Sequence, residues 1–76
     1  MATVTLDLAG LKCPLPALKT KKALARLNPG DRLEVVCTDP MAAIDIPHLV
    51  NAVGARLIAS SRHDINLTFL IEKGSI

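Results

Sequence analysis

Residues Thr3 to Leu8 alternate, with Val4, Leu6 and Leu8 on one side and Thr3, Thr5 and Asp7 on the other. A period of two predicts a half-buried strand. Gly10 then lets the chain turn, and from Pro14 to Leu27 the period changes: Ala17, Leu24 and Leu27 share a side that Leu15 and Leu18 widen, while Lys19, Lys22 and Arg26 recur on another. This spacing predicts an amphipathic helix with a basic outer face. Asn28-Pro29-Gly30-Asp31 supplies a stop and a turn. Alternation resumes over Arg32 to Thr38 and sends Leu33, Val35 and Cys37 inward. Asp39 before Pro40, and Asp45 before Ile46-Pro47, have the form of helix caps. They predict a short turn over Pro40 to Ile44 and a helix from about Ile46 to Val53, ended by Gly54. Ala55 to Ser60 and Ile65 to Lys73 read as two strands joined through Ser61-Arg62-His63-Asp64, with Ile65, Leu67, Phe69 and Ile71 on the inner face.

The order is βαβαββ. The first two strands are expected to run parallel through a crossover, and the last two to form an antiparallel hairpin. Each helix has one apolar side, so both are expected on one face of a mixed four-stranded sheet, a two-layer α/β sandwich. The pattern leaves the strand order open. No linker or repeat divides residues 1–76, which are read as one domain.

Composition narrows the functions such a sandwich can serve. The chain is 50% hydrophobic, but Phe69 is its only aromatic residue, so no aromatic cage or base-stacking platform can be assembled. With 76 residues the core is small, and a deep catalytic cavity is not expected. There is no secretory h-region and no apolar run of the ~18 residues a membrane span needs, so a cytoplasmic location is expected, where two cysteines stay free thiols. A net charge of +2 is too small to indicate nucleic-acid binding, and direct nucleic-acid binding is not expected.

The candidate chemistry lies in Gly10-Leu11-Lys12-Cys13-Pro14-Leu15-Pro16, where the strand pattern gives way to the helical one. A residue before proline is steered out of the α region, which makes Cys13 an N-cap candidate with Pro14 at the first helical position. The positive end of the helix dipole there favours a thiolate and can lower a thiol pKa from about 8.5 to roughly 3.5–7.5. Pro16 removes one of the N–H donors a capping side chain uses, leaving that of Leu15, and Lys12 adds positive charge. An exposed, ionised nucleophile is the expectation. The competing reading is a small buried hydrophobe, common for free cysteine, but Cys13 lies outside both apolar stripes.

Other candidates carry less. Cys37 points with Leu33 and Val35 and reads as a core thiol. Cys13, Cys37, His48 and His63 lack the close paired spacing of zinc sites, so no metal is expected. Asp39 and Asp45 read as structural caps rather than a paired carboxylate site. Lys19, Lys22 and Arg26, with Lys21, are candidate docking residues for an acidic partner surface. Val36, Ile58 and Leu70 fall on the outward sheet face, where they offer a contact for a partner or a dimer; otherwise a monomer is expected.

Taken together, Leu6-Asp7, Gly10 through Pro16, Pro29-Gly30-Asp31, Thr38-Asp39-Pro40, Asp45-Ile46-Pro47, Gly54 and Ile71-Glu72-Lys73-Gly74 span almost the whole chain. In this order they resemble the TusA family of SirA-like sulfur carriers. The resemblance implies a two-layer sandwich similar to the C-terminal domain of translation initiation factor three. It places the family's persulfide-carrying cysteine on Cys13, supported by the motif residues Gly10, Lys12, Pro14, Leu15 and Pro16. It also implies a sulfurtransferase-type carrier acting with partner proteins: a cysteine desulfurase or other sulfurtransferase as donor, and a sulfur-relay acceptor. The relay could be tRNA thiolation, molybdenum-cofactor supply or oxidative sulfur metabolism. No cofactor is implied beyond the covalent sulfur. The alternative is a small regulatory or nucleic-acid- or protein-binding module without sulfur transfer.

Overall fold

A computed structural model describes residues 2–74. The elements follow in the order β1 (Thr3–Leu8), α1 (Leu15–Ala25), β2 (Arg32–Cys37), α2 (Ala42–Ala52), β3 (Arg56–His63) and β4 (Asn66–Glu72). The sheet order is β1-β2-β4-β3, with β1 parallel to β2 and both β2/β4 and β3/β4 antiparallel. The expected two-layer α/β sandwich, with two helices against a mixed sheet, is the observed one.

The core follows from strand parity. Leu33, Val35 and Cys37 of β2 stand directly opposite Ile71, Phe69 and Leu67 of β4, and all six are buried. Ile46 and Val50 of α2 and Leu24 of α1 close over them. On the other sheet face, Val36 and Leu70 are half-buried, with Thr68 and Glu34 as their direct cross-strand partners, and Ile58 is exposed at a bulge between Leu57 and Ala59.

Three elements differ from their sequence pattern. The buried stripe of α1 is Pro16, Thr20 and Leu24, spaced by four, which leaves Leu15 and Leu18 in solvent. A polar threonine at a buried position hid that stripe. The expected turn and capped helix over Pro40 to Val53 are one helix, α2, with Pro47 inside it. Met41 flanks this helix as its N-cap and no side chain caps it; Asp39, two residues earlier, holds the turn that leads in, its Oδ1 accepting the Met41 N–H at 3.0 Å and its carbonyl the Ala42 N–H at 2.9 Å. Pro47 withholds a donor from the carbonyl of Ala43, a residue that is exposed, so water can take its place. The third difference is β3, which runs on through His63 and shortens the hairpin turn to Asp64-Ile65, with Asp64 at φ 55° and Ile65 exposed rather than inward. Aspartate tolerates that left-handed conformation better than most residues.

Two glycines of the motif series meet in space. Gly54, at φ 73°, ends α2 in a Schellman arrangement: its N–H donates to the Asn51 carbonyl and the Ala55 N–H to that of Val50. Gly74 passes against the Gly54 carbonyl so closely that a Cβ at Gly74 would collide with it.

Candidate functional site

The site forms where the parallel strands β1 and β2 end side by side. Gly10, at φ 85°, turns the chain after β1, and its N–H donates to Thr38 Oγ1 at 2.8 Å. The Leu11 N–H returns to the Leu8 carbonyl at 3.1 Å. Asp39, buried just beyond β2, then accepts the Cys13 N–H on its Oδ2 at 2.6 Å. One carboxylate therefore anchors the cysteine loop with one oxygen and the turn leading into α2 with the other. The Cys13-Pro14 peptide bond is cis.

Cys13 is exposed, and its Sγ donates to Asp45 Oδ2 at 2.7 Å. This changes two expectations. Cys13 is not the N-cap of α1: the helix begins at Leu15 with Pro14 flanking it, no side chain caps it, and the Leu15 N–H goes to the Lys12 carbonyl at 2.9 Å. Asp45 is not a cap either; it lies within α2, in its first turn, and spends its hydrogen bond on the thiol. The pattern of an aspartate before Ile-Pro suggested a helix start because a continuous helix through Pro47 was not anticipated.

The electrostatics reverse the expected direction. The Asp45 hydrogen bond, followed by desolvation and the charges of Asp45 and Asp39, raises the Cys13 thiol above its ordinary value. An acceptor carboxylate favours the protonated sulfur, as a like charge would. Lys12 acts on Asp39 instead. The Cys13 N–H first, then that of Met41, hold the Asp39 carboxyl below the usual range, with Lys12 adding to the effect. Pro16 is buried, Leu15 is exposed, and neither offers the sulfur a donor.

The remaining candidates separate. Cys37 is fully buried, paired with Leu8 and Leu67, and burial pushes its thiol up. His48 and His63 are exposed on α2 and at the end of β3. Lys19, Lys22 and Arg26 line a groove with Leu6 and Ala23 where α1 passes β1. Pattern reading missed four exposed apolar residues near the starts of the two helices: Leu15 and Leu18 on α1, Met41 flanking α2 and Ile44 within it, which are 44%, 56%, 47% and 65% exposed. No helix among the described residues is long and apolar enough to cross a membrane.

The fold and site define a small α/β domain that displays one thiol on its surface and seals the other in its core. Residues 4–73 match the family model of sulfurtransferase TusA, and the chain belongs to that family. Two proteins of Neisseria meningitidis, one from serogroup A and one from serogroup B, each provisionally named a sulfur carrier protein, are 42% identical to it over 72 residues. The match covers 95% of this chain and 97% of each of theirs. The crystal structure of a SirA-like protein from Desulfitobacterium hafniense superposes with a TM-score of 0.79, covering 97% of this chain and 99% of that one. At 24% identity it shows the same fold.

Proposed function

We propose that the protein is a cytoplasmic sulfur carrier in which Cys13 takes a sulfane sulfur from a donor persulfide, holds it as Cys13–S–SH and passes it to an acceptor cysteine. The observation that carries this reading is the contrast between the two thiols: Cys13 is exposed on an anchored loop, and Cys37 is sealed in β2. Exchange at sulfur needs an accessible atom and a partner that brings its own, not a pocket. The exposed Leu15, Leu18, Met41 and Ile44 at the helix starts support docking of a protein partner, and Lys19, Lys22 and Arg26 support an acidic edge on it. A cysteine desulfurase or another sulfurtransferase is the donor class, and a sulfur-relay protein the acceptor. Supply to tRNA thiolation, molybdenum cofactor or oxidative sulfur metabolism would use the same carrier chemistry.

Intact-mass analysis after incubation with a cysteine desulfurase and cysteine tests the reading. A reducible gain of one sulfur is expected in the wild type and in Cys37→Ser, and none in Cys13→Ser. Equal loading of Cys13→Ser would overturn it.

A further inference from the structure

Cys13 and Asp45 are 32 residues apart and meet because α2 begins at Ala42, early enough to bring Asp45 against the cysteine loop. Asp45 lies inside the first turn of α2 and caps nothing, so the helix does not need it in order to start. A carboxylate on a thiol has a cost for a simple nucleophile, since it keeps the proton on sulfur. For a cysteine that must give up its proton in the same step in which it bonds to another sulfur, the placement is suitable. General bases act from this range.

We propose that Asp45 is a catalytic residue of the transfer step, a shuttle that moves the Cys13 proton from Sγ to the arriving sulfur. The assignment rests on the sulfur-carrier reading. In loading, a donor persulfide R–S–S⁻ presents its outer sulfur to Cys13–SH. An electron pair of Sγ bonds to that outer sulfur, the donor's S–S bond breaks, and R–S⁻ leaves with the bonding pair. The proton passes through the Asp45 carboxylate to the outer sulfur and gives Cys13–S–SH. One negative charge stands on each side, and no external oxidant or reductant enters. A proton arriving on the outer sulfur removes the repulsion that two anionic sulfurs would feel. A new S–S bond of about 2 Å keeps the outer sulfur within reach of a carboxylate that touches Sγ. Delivery runs the same path backwards: an acceptor thiolate R′–S⁻ takes the outer sulfur, Sγ leaves and regains the proton from Asp45, and R′–S–S⁻ departs.

The other charged groups at the site are Asp39 and Lys12 beside it; His48 is exposed three residues along α2. Asp39 is held ionised by the Cys13 and Met41 N–H groups. A His48→Gln background leaves Asp45 as the one ionisable side chain of α2.

The test uses glutathione persulfide as donor, so that no docking surface is involved, and follows loading of wild type, Asp45→Asn and Asp45→Glu by intact mass from pH 6 to 8.5. Iodoacetamide alkylation runs in parallel. The Asn variant is expected to load about tenfold more slowly at pH 6.5, with the deficit closing as pH rises and ionises the thiol unaided, yet to alkylate faster than wild type because its thiol is released from the carboxylate. The Glu variant keeps a carboxylate, and its rate relative to wild type is expected to stay level across pH; this arm still decides the matter if the Asn variant fails to fold. A Glu variant that follows thiol ionisation, an Asn-to-wild-type ratio constant with pH, or an Asn variant that loads faster throughout overturns the shuttle while leaving carriage intact. Wild type that takes up no sulfur at any pH overturns the carrier reading and the shuttle with it.

Discussion

Asp39 holds Cys13 by its backbone and not by its sulfur: Oδ2 accepts the Cys13 N–H at 2.6 Å while Oδ1 accepts that of Met41 at 3.0 Å. The pairing ties the loop after β1 to the start of α2, the helix that supplies Asp45. The position of the thiol against its carboxylate therefore depends on a residue that touches neither reacting atom. Replacing Asp39 by Ala leaves both N–H groups without their acceptor and unties the cysteine loop from the turn before α2. The expected result is a melting temperature lower by about 5 °C or more, with a smaller loss for Asp39→Asn, which keeps one oxygen acceptor. An unchanged melting temperature for the Ala variant would remove Asp39 from this role.

Thr20 occupies the middle of the buried stripe of α1, and its Oγ1 finds no hydrogen-bond partner among the described residues. A buried hydroxyl in that state opposes folding, because its bonds to water are lost without replacement. Thr20→Val keeps the shape and removes the polar atom. A gain of about 1 kcal/mol is expected from the urea midpoint at constant slope, with sulfur loading unchanged. A loss of stability would mean that the hydroxyl is satisfied in solution.

Much of this fold was legible because strand parity is a strict code. The alternations that sent Leu33, Val35 and Cys37, and Leu67, Phe69 and Ile71, to one side are the facing rows of the core. Cys13 was legible from its local setting, outside every apolar stripe. Its partner was not. The contact with Asp45 spans 32 residues and depends on α2 running unbroken through Pro47, against the usual effect of an interior proline. The dipole of α1 suggested an ionised thiol, whereas a carboxylate within hydrogen-bond distance of the sulfur outweighs a helix end that donates nothing to it. Likewise Leu15 and Leu18 read as core until Thr20 showed where the buried stripe runs.

Acid should loosen the other end of the parallel pair. Asp31 accepts the Ala2 N–H on Oδ1 at 3.2 Å and the Asn28 N–H on Oδ2 at 3.1 Å, joining the chain just before β1 to the Pro29-Gly30 turn before β2. These two donors, Ala2 first, hold the Asp31 carboxyl below its ordinary value. A carboxyl whose folded pKa is depressed adds stability that is complete above the unfolded value, about 3.9, and is lost as pH falls through the folded one. Asp39 has the same sign. Urea midpoints at pH 6 and pH 3 are therefore expected to fall for wild type, and to fall less for Asp31→Asn, which has no proton to take up at that position. The Asn variant starts lower at pH 6, since an amide accepts these bonds more weakly and with one oxygen. An equal drop in the two proteins would place the acid sensitivity elsewhere, with Asp39 the next residue to replace.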